Sequence, residues 1–333
     1  MNETRLTSRE IIRRVLAFEA PPRIGMNFDH GRMDDLFVAV ASAPADFDAQ
    51  QHTTKTGAVR WRDEWGNTWR RLDEFSMGEV AEGALEEWSD LDDYEPPNLA
   101  DRARYEEAKQ GLVENPDKFR LGWLAGLAFS IGRKLRTVER YLLEVAAEPD
   151  KIRRLNAMIR DVVLAQVEVY AELGFDAVGF CEDWGTQERL LINPAHWRAL
   201  FLPEFEAVCE AAHAHGMTVW LHSCGYIADV VDDMIEAGID VLQFDQPALH
   251  GIDFLAEKYA GRVAFWCPVD IQTTLQTGDR KLIRAEAKAM VEKLGRGGGF
   301  IAKNYPSLDA INVKPEWDQW AYEAFVEFGG AGA

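Results

Sequence analysis

The sequence has 333 residues, 47% hydrophobic and 28% charged, which is enough apolar chain for one large packed core. With 36 Lys and Arg against 56 Asp and Glu, its formal charge of −20 argues against nucleic acid or an anionic membrane surface as a partner. No apolar run approaches the roughly 20 residues of a spanning helix, the opening MNETRLTSRE lacks the apolar core of a secretion signal, and four scattered cysteines make no disulfide framework, so a cytoplasmic location is expected.

In chain order, two apolar runs, residues 23–29 and 36–42, read as strands behind an N-terminal extension. An irregular excursion around 43–118 follows; its later part is acidic and holds Pro96-Pro97, without the Gly/Ser-rich hinge of a domain linker. From residue 119 strands and amphipathic helices alternate. The run 119–126 is a strand. Asp150–Leu173 is a helix, with Ile152, Leu155, Ile159 and Val163 recurring at three and four. Strand 176–181 leads to helix Pro194–His215, which Gly216 should stop in a left-handed conformation. Then come strand 217–223, helix Ile227–Ala237, strands 240–245 and 261–267, helix Lys281–Leu294 and strand 297–304. Eight strands, most followed by a helix and apolar on both faces, predict one α/β domain over 1–333, a (β/α)8 TIM-type barrel, in preference to an open parallel sheet.

A barrel places its chemistry at the C-terminal ends of its strands. Polar residues collect there: Cys181-Glu182-Asp183-Trp184, His222-Ser223-Cys224-Gly225, Asp245-Gln246, Cys267-Pro268-Val269-Asp270 and Lys303-Asn304-Tyr305. His222 and Cys224 are two apart, so on extended backbone both face the barrel mouth. An imidazole and a thiolate together suit zinc. Cys267 is the expected third ligand and Glu182 or Asp183 a fourth. Adjacent acids on a strand face opposite ways, so one of Glu182 and Asp183 should enter the pocket; buried among Trp184 and Trp266, it would have a raised pKa and act as an acid or base. Cys181 reads as a small hydrophobe in the top barrel layer, and Cys209 as packed inside a helix.

Residues 182–247, 269–283, 297–317 and 6–26 together resemble the uroporphyrinogen decarboxylase superfamily, which implies a single (β/α)8 barrel. That superfamily holds cofactor-free decarboxylases of tetrapyrrole acetates and cobalamin-dependent methyltransferases that use zinc on a His-x-Cys pair and a distant Cys. The pair is present as His222 and Cys224. The decarboxylase's arginine-rich N-terminal signature is absent, replaced by MNFDHGRMDDL, a poor host for a polyanion. The methyltransferases' last cysteine, expected in the strand-eight loop, is also missing; there the chain reads AKNYPSLDA, leaving Cys267, Glu182, Asp183 or Asp245 to complete a site.

The resemblance implies a methyltransferase or demethylase in which zinc on His222, Cys224 and Cys267 or Glu182 activates a thiol, the methyl group coming from a small methylated substrate or a corrinoid partner protein. Glu182, Asp183, His222 and Asp270 are the expected catalytic residues. Asn27, Arg32, Trp184, Tyr226, Gln246, Trp266 and Asn304 are expected to bind substrate, and the superfamily commonly forms homodimers. A second expectation is a cofactor-free decarboxylase or lyase in which Asp183 or Glu182 stabilises a protonated intermediate, Arg23 or Arg32 holds a carboxylate and His222 is an acid. A third is a non-catalytic ligand-binding barrel.

Overall fold

The computed structural model describes residues 6–72 and 78–330. Its strands are β1 (Gly25–Asn27), β2 (Leu36–Val40), β3 (His52–Thr53), β4 (Val59–Arg62), β5 (Thr68–Arg71), β6 (Glu79–Glu82), β7 (Phe119–Trp123), β8 (Ala177–Cys181), β9 (Thr218–His222), β10 (Val241–Gln243), β11 (Ala264–Cys267) and β12 (Phe300–Lys303). Eight of them form one parallel sheet in the order β1-β12-β11-β10-β9-β8-β7-β2, the expected (β/α)8 barrel. Each of the eight expected strands is found within a few residues of its expected span. Among the described residues no helix is long and apolar enough to cross a membrane.

The barrel closes between β1 and β2 through a side chain. Eight residues join these strands, too few for a crossover helix. The backbone N–H of Asp35 donates to Met26 O at 2.7 Å, and its fully buried carboxylate accepts from Met26 N at 2.9 Å. Arg23 holds both carboxylate oxygens, at 2.6 and 2.7 Å, so the buried charge is paired.

The floor is a helix. Ser8–Leu16 starts in a capping box between Thr7 and Glu10 and buries Ile11, Ile12 and Val15 against the inward side chains of the barrel, among them Leu36, Phe119, Trp220 and Ile301. Arg9 and Arg13 tie it to Asp176, just before β8. Outside the strands, the helix Pro149–Glu172 buries Ile152, Leu155, Ile159, Val163 and Val167, the stripe its periodicity predicts. The expected helix 194–215 is two, Pro194–Leu200 and Leu202–Ala214, because Pro203 cannot donate into the preceding turn. Gly216 takes the left-handed conformation expected of it (φ 71°).

The stretch 43–118, expected to be irregular, carries a second sheet. Strands β3, β4, β5 and β6 pair antiparallel in sequence order, and the helix Glu106–Glu114 leads back to β7. Trp65 and Trp69 from this insertion, with Trp123 and Leu124 of the barrel, line a cavity of about 470 Å³ beside the mouth.

Candidate metal centre at the barrel mouth

Strand parity decides which polar residues enter the mouth. Trp220 on β9 lies inside the barrel, so His222, two residues on, also points in. Cys181 is in register with His222, and Gln243 is in register with it on the other side. Asp183 follows Cys181 by two, and Asp245 follows Gln243 by two. Two loops then lock together: Gly185 and Gly225 pass so closely that a Cβ on Gly225 would lie 2.2 Å from Gly185 backbone. This crossing brings the Cys224 N–H to Asp183 Oδ1, to which it donates at 3.0 Å.

His222 Nε2 is the centre of the result. It lies 3.3 Å from Cys224 Sγ and 3.4 Å from Asp183 Oδ1, while Cys181 Sγ is 3.5 Å from that same oxygen. Ligand atoms of Cys181, Asp183 and His222 all fall within 4.8 Å of one another, and so do those of His222, Cys224 and Asp245. His222 Nδ1 is hydrogen-bonded to Gln243 Oε1, and Gln243 Nε2 donates to Asp245 Oδ1 at 2.7 Å. Burial opposes protonation of His222, but Asp183 and the thiols of Cys181 and Cys224 outweigh it and raise its pKa well above the ordinary value. Burial likewise pushes against the Asp183 carboxylate, yet His222, the Cys224 N–H and Arg133 hold its pKa far below the usual range. The corner favours a positive charge on His222 and gathers donor atoms that could hold a metal ion.

Two expected ligands do not join it. Trp266 faces the barrel interior, so Cys267 faces the outer layer; it is fully buried, and burial pushes its thiol up to about 12. Glu182 likewise turns outward between Cys181 and Asp183. Its carboxylate accepts from the backbone N–H groups of Leu127, Phe129 and Ser130 at 2.9–3.0 Å, at the start of the helix Ala128–Leu135. Burial pushes its pKa up to about 7 against these donors. Of the two adjacent acids, Asp183 enters the pocket.

The other expected residues divide in the same way. Asp270 is buried and accepts from the N–H groups of Ala248, Gln272 and Thr273, fixing loops and not substrate. Trp184 is fully buried among Phe129, Trp197 and Phe201. Arg32 pairs with Asp29 and Asp318, and Arg23 with Asp35, so neither is free to hold a carboxylate. Asn304 points outward and donates to Asp29 Oδ2. Tyr226 stacks on His250, and Gln246 bonds Gln187 at the rim. Trp266 does face inward, with Lys303 Nζ 5.1 Å above its ring, and Asn27 points in from β1 and donates to Asp34. Lys303 also pairs with Asp245 at 3.3 Å.

Cys181 was not expected in the site. The rule that paired His222 with Cys224 applies equally to Cys181 and Asp183, and it would have found both. Lys134, on the cavity wall, left no local signal, since it lies in a helix of ordinary composition.

The uroporphyrinogen decarboxylase (URO-D) family model matches residues 90–304. No curated protein sequence matches the chain. Among solved structures, a methyltransferase from Methanosarcina mazei is similar with a TM-score of 0.61 and 17% identity, over 80% of this chain and 76% of that one. An L-ribulose 3-epimerase is similar at 0.45 and 13%, over 75% and 92% of the two chains. At 17% identity the likeness to the methyltransferase is one of fold.

Proposed function

Because the chain belongs to the uroporphyrinogen decarboxylase family, we propose that it is an enzyme of that family's methyl-transferring kind, moving a methyl group to a thiol at a zinc site on His222. One observation carries the reading: the spacings of 3.3, 3.4 and 3.5 Å around Nε2 and Asp183 Oδ1. Zinc bonds of about 2.0–2.3 Å at tetrahedral angles place neighbouring ligand atoms about 3.3–3.7 Å apart. A mixed nitrogen, sulfur and oxygen donor set also suits that metal. His222, Cys224 and Asp245 would hold it, their ligand atoms lying within 4.8 Å of one another; Cys181 and Asp183 form a second such group with His222. Bound zinc would supply Lewis acidity, lowering the pKa of an incoming thiol so that it reacts as thiolate.

The residues around the corner do the remaining work. A proton on Nδ1 donated to Gln243 leaves the Nε2 lone pair free, and Asp245 orients Gln243 in turn. Arg133, 3.5 Å from Asp183 Oδ2, steadies that carboxylate. Trp123 and Trp266 meet edge to face at 6.4 Å below the mouth and keep water from the floor. The methyl donor in this reading is a small methylated substrate or a methyl-corrinoid protein. The alternative of a cofactor-free decarboxylase or lyase is weakened because Arg23 and Arg32, its expected carboxylate-binding residues, are already paired.

Elemental analysis of protein purified without chelator tests the reading. It should show stoichiometric zinc, lost in His222→Ala and Cys224→Ser and kept in Cys267→Ser. Protein without zinc, or zinc unchanged in the first two variants, would sink it.

A further inference from the structure

Beside the metal corner, the cavity of about 470 Å³ runs from Cys181 to the inserted sheet, a size suited to a small organic ligand. Its walls combine the indole faces of Trp65, Trp69 and Trp123 with the charged side chains of Asp63, Glu64 and Arg104. One of the charged wall residues is left unpaired. Lys134 reaches in from the helix Ala128–Leu135, and among the described residues its Nζ makes no hydrogen bond or ion pair. Its closest recorded partner is the Trp69 ring, 5.7 Å away.

The charges around Lys134 do not answer it. Arg133 is of like sign and pairs with Asp183. Glu64 pairs with Arg104 at 2.6 Å. Asp63 spends its oxygens on the N–H and amide of Asn67 and on Trp69 Nε1, at 2.7–2.9 Å. Burial lowers the lysine's pKa, outweighing the opposing pull of Asp63 and Glu182. A half-buried cation facing an aromatic cavity, with the reacting centre at the other end, is a recognition arrangement. An anion there would restore the interaction that burial withdraws.

We propose that the substrate of this site is an aromatic carboxylate, its anionic group on Lys134 Nζ, its ring against the indoles of Trp69 and Trp123, and its opposite end directed past Cys181 to the metal corner. The inference rests on the reading of the mouth as the reaction site and adds the chemical class that the site selects. It also gives the inserted sheet a role, since Trp65 and Trp69 reach the cavity from that insertion.

Calorimetric titration with benzoate and with its neutral isostere benzamide tests it, on the wild type and on Lys134→Met, Lys134→Arg and Cys224→Ser. The wild type should prefer benzoate by about tenfold or more, the usual worth of a charge-assisted hydrogen bond. Lys134→Met should bind the two alike, and Lys134→Arg should keep the preference, which shows that the position tolerates change. Cys224→Ser should keep it as well, because the carboxylate end lies away from the metal corner. The proposal is overturned if benzoate fails to bind at millimolar concentration, if wild type does not discriminate, if Lys134→Met still prefers benzoate, or if Cys224→Ser abolishes the preference. A benzoate preference in protein that holds no zinc would overturn the methyl-transfer reading and leave the substrate class standing.

Discussion

His250 lies between two aromatic rings, with centroids 5.3 Å from Tyr226 and 4.5 Å from Phe244, and its Nδ1 has no partner. Burial drives its pKa down to about 4, with the Gly225 backbone pulling the other way. Since the ordinary value is 6.5, the unfolded chain takes up a proton first as pH falls. The stability from a neutral imidazole is therefore intact above pH 6.5 and is lost between about pH 6.5 and pH 4, with a loss of about 2 kcal/mol reached by pH 5. His250→Phe keeps the aromatic stack and has no proton to gain. Urea unfolding at pH 7 and pH 5 should show the wild type losing about 2 kcal/mol more than this variant; equal losses would mean that folding leaves the imidazole's pKa unshifted. At this scale the site was legible wherever the period of two was applied. His222 and Cys224 were found by it, and the outward positions of Glu182 and Cys267 follow from it. What the period does not encode is commitment. Arg32, Asp270 and Asn304 are polar residues at plausible places, and only the fold reveals the partners that already occupy them.

The elements that make the proposed metal corner are two loops, and their crossing depends on glycine at both positions. A Cβ on Gly185 would lie 2.4 Å from Tyr226 N, and Gly225 has a φ of 78° besides its contact with Gly185. Gly185→Ala should therefore separate Asp183 from Cys224 and lower zinc affinity by tenfold or more, while leaving most of the barrel's stability, because the clash lies outside the core. Zinc competition titration against a chromophoric chelator, beside thermal unfolding, separates the two effects; unchanged affinity would show that the loops do not set the site. The barrel strands were legible because each is a short β-branched or aromatic run ending in polar residues. Strands β3 to β6 were not, since they are two to four residues long, rich in Arg, Glu and His, and partly exposed on both faces. The floor helix had a sequence signature, Thr7-x-x-Glu10 ahead of Ile11 and Ile12, that the strand pattern overshadowed.

For the whole molecule, two apolar clusters share one wall. Ile11, Trp220 and Ile301 fill the inside of the barrel, and Ile159, Val163 and Phe205 pack outside it. Neither cluster has a surface that would stand alone in water, so the barrel should unfold as a unit. Indole fluorescence, which reports on tertiary packing through tryptophans of the barrel interior, the outer layer and the insertion, and far-ultraviolet circular dichroism, which reports mainly on the helices, should give coincident urea transitions. Two separated midpoints would show that the outer helices or the inserted sheet melt independently.

The seam has a consequence for how the chain reaches this state. β1 has no ladder with β2 and finds its parallel partner in β12, with Gly25 opposite Ile301. Backbone bonds from Ala20 to Gly297 and from Ile24 to Gly329 reinforce the same junction. The β1–β12 pairing thus joins segments separated by most of the polypeptide, and the entropy of bringing them together must be met before their contacts repay it. During synthesis β1 waits without its neighbour, an exposed apolar strand, until β12 has left the ribosome. The last interval of folding is then the one most open to misassociation, and the packing of Ile12, on the floor helix, into one cluster with Ile301 marks its end.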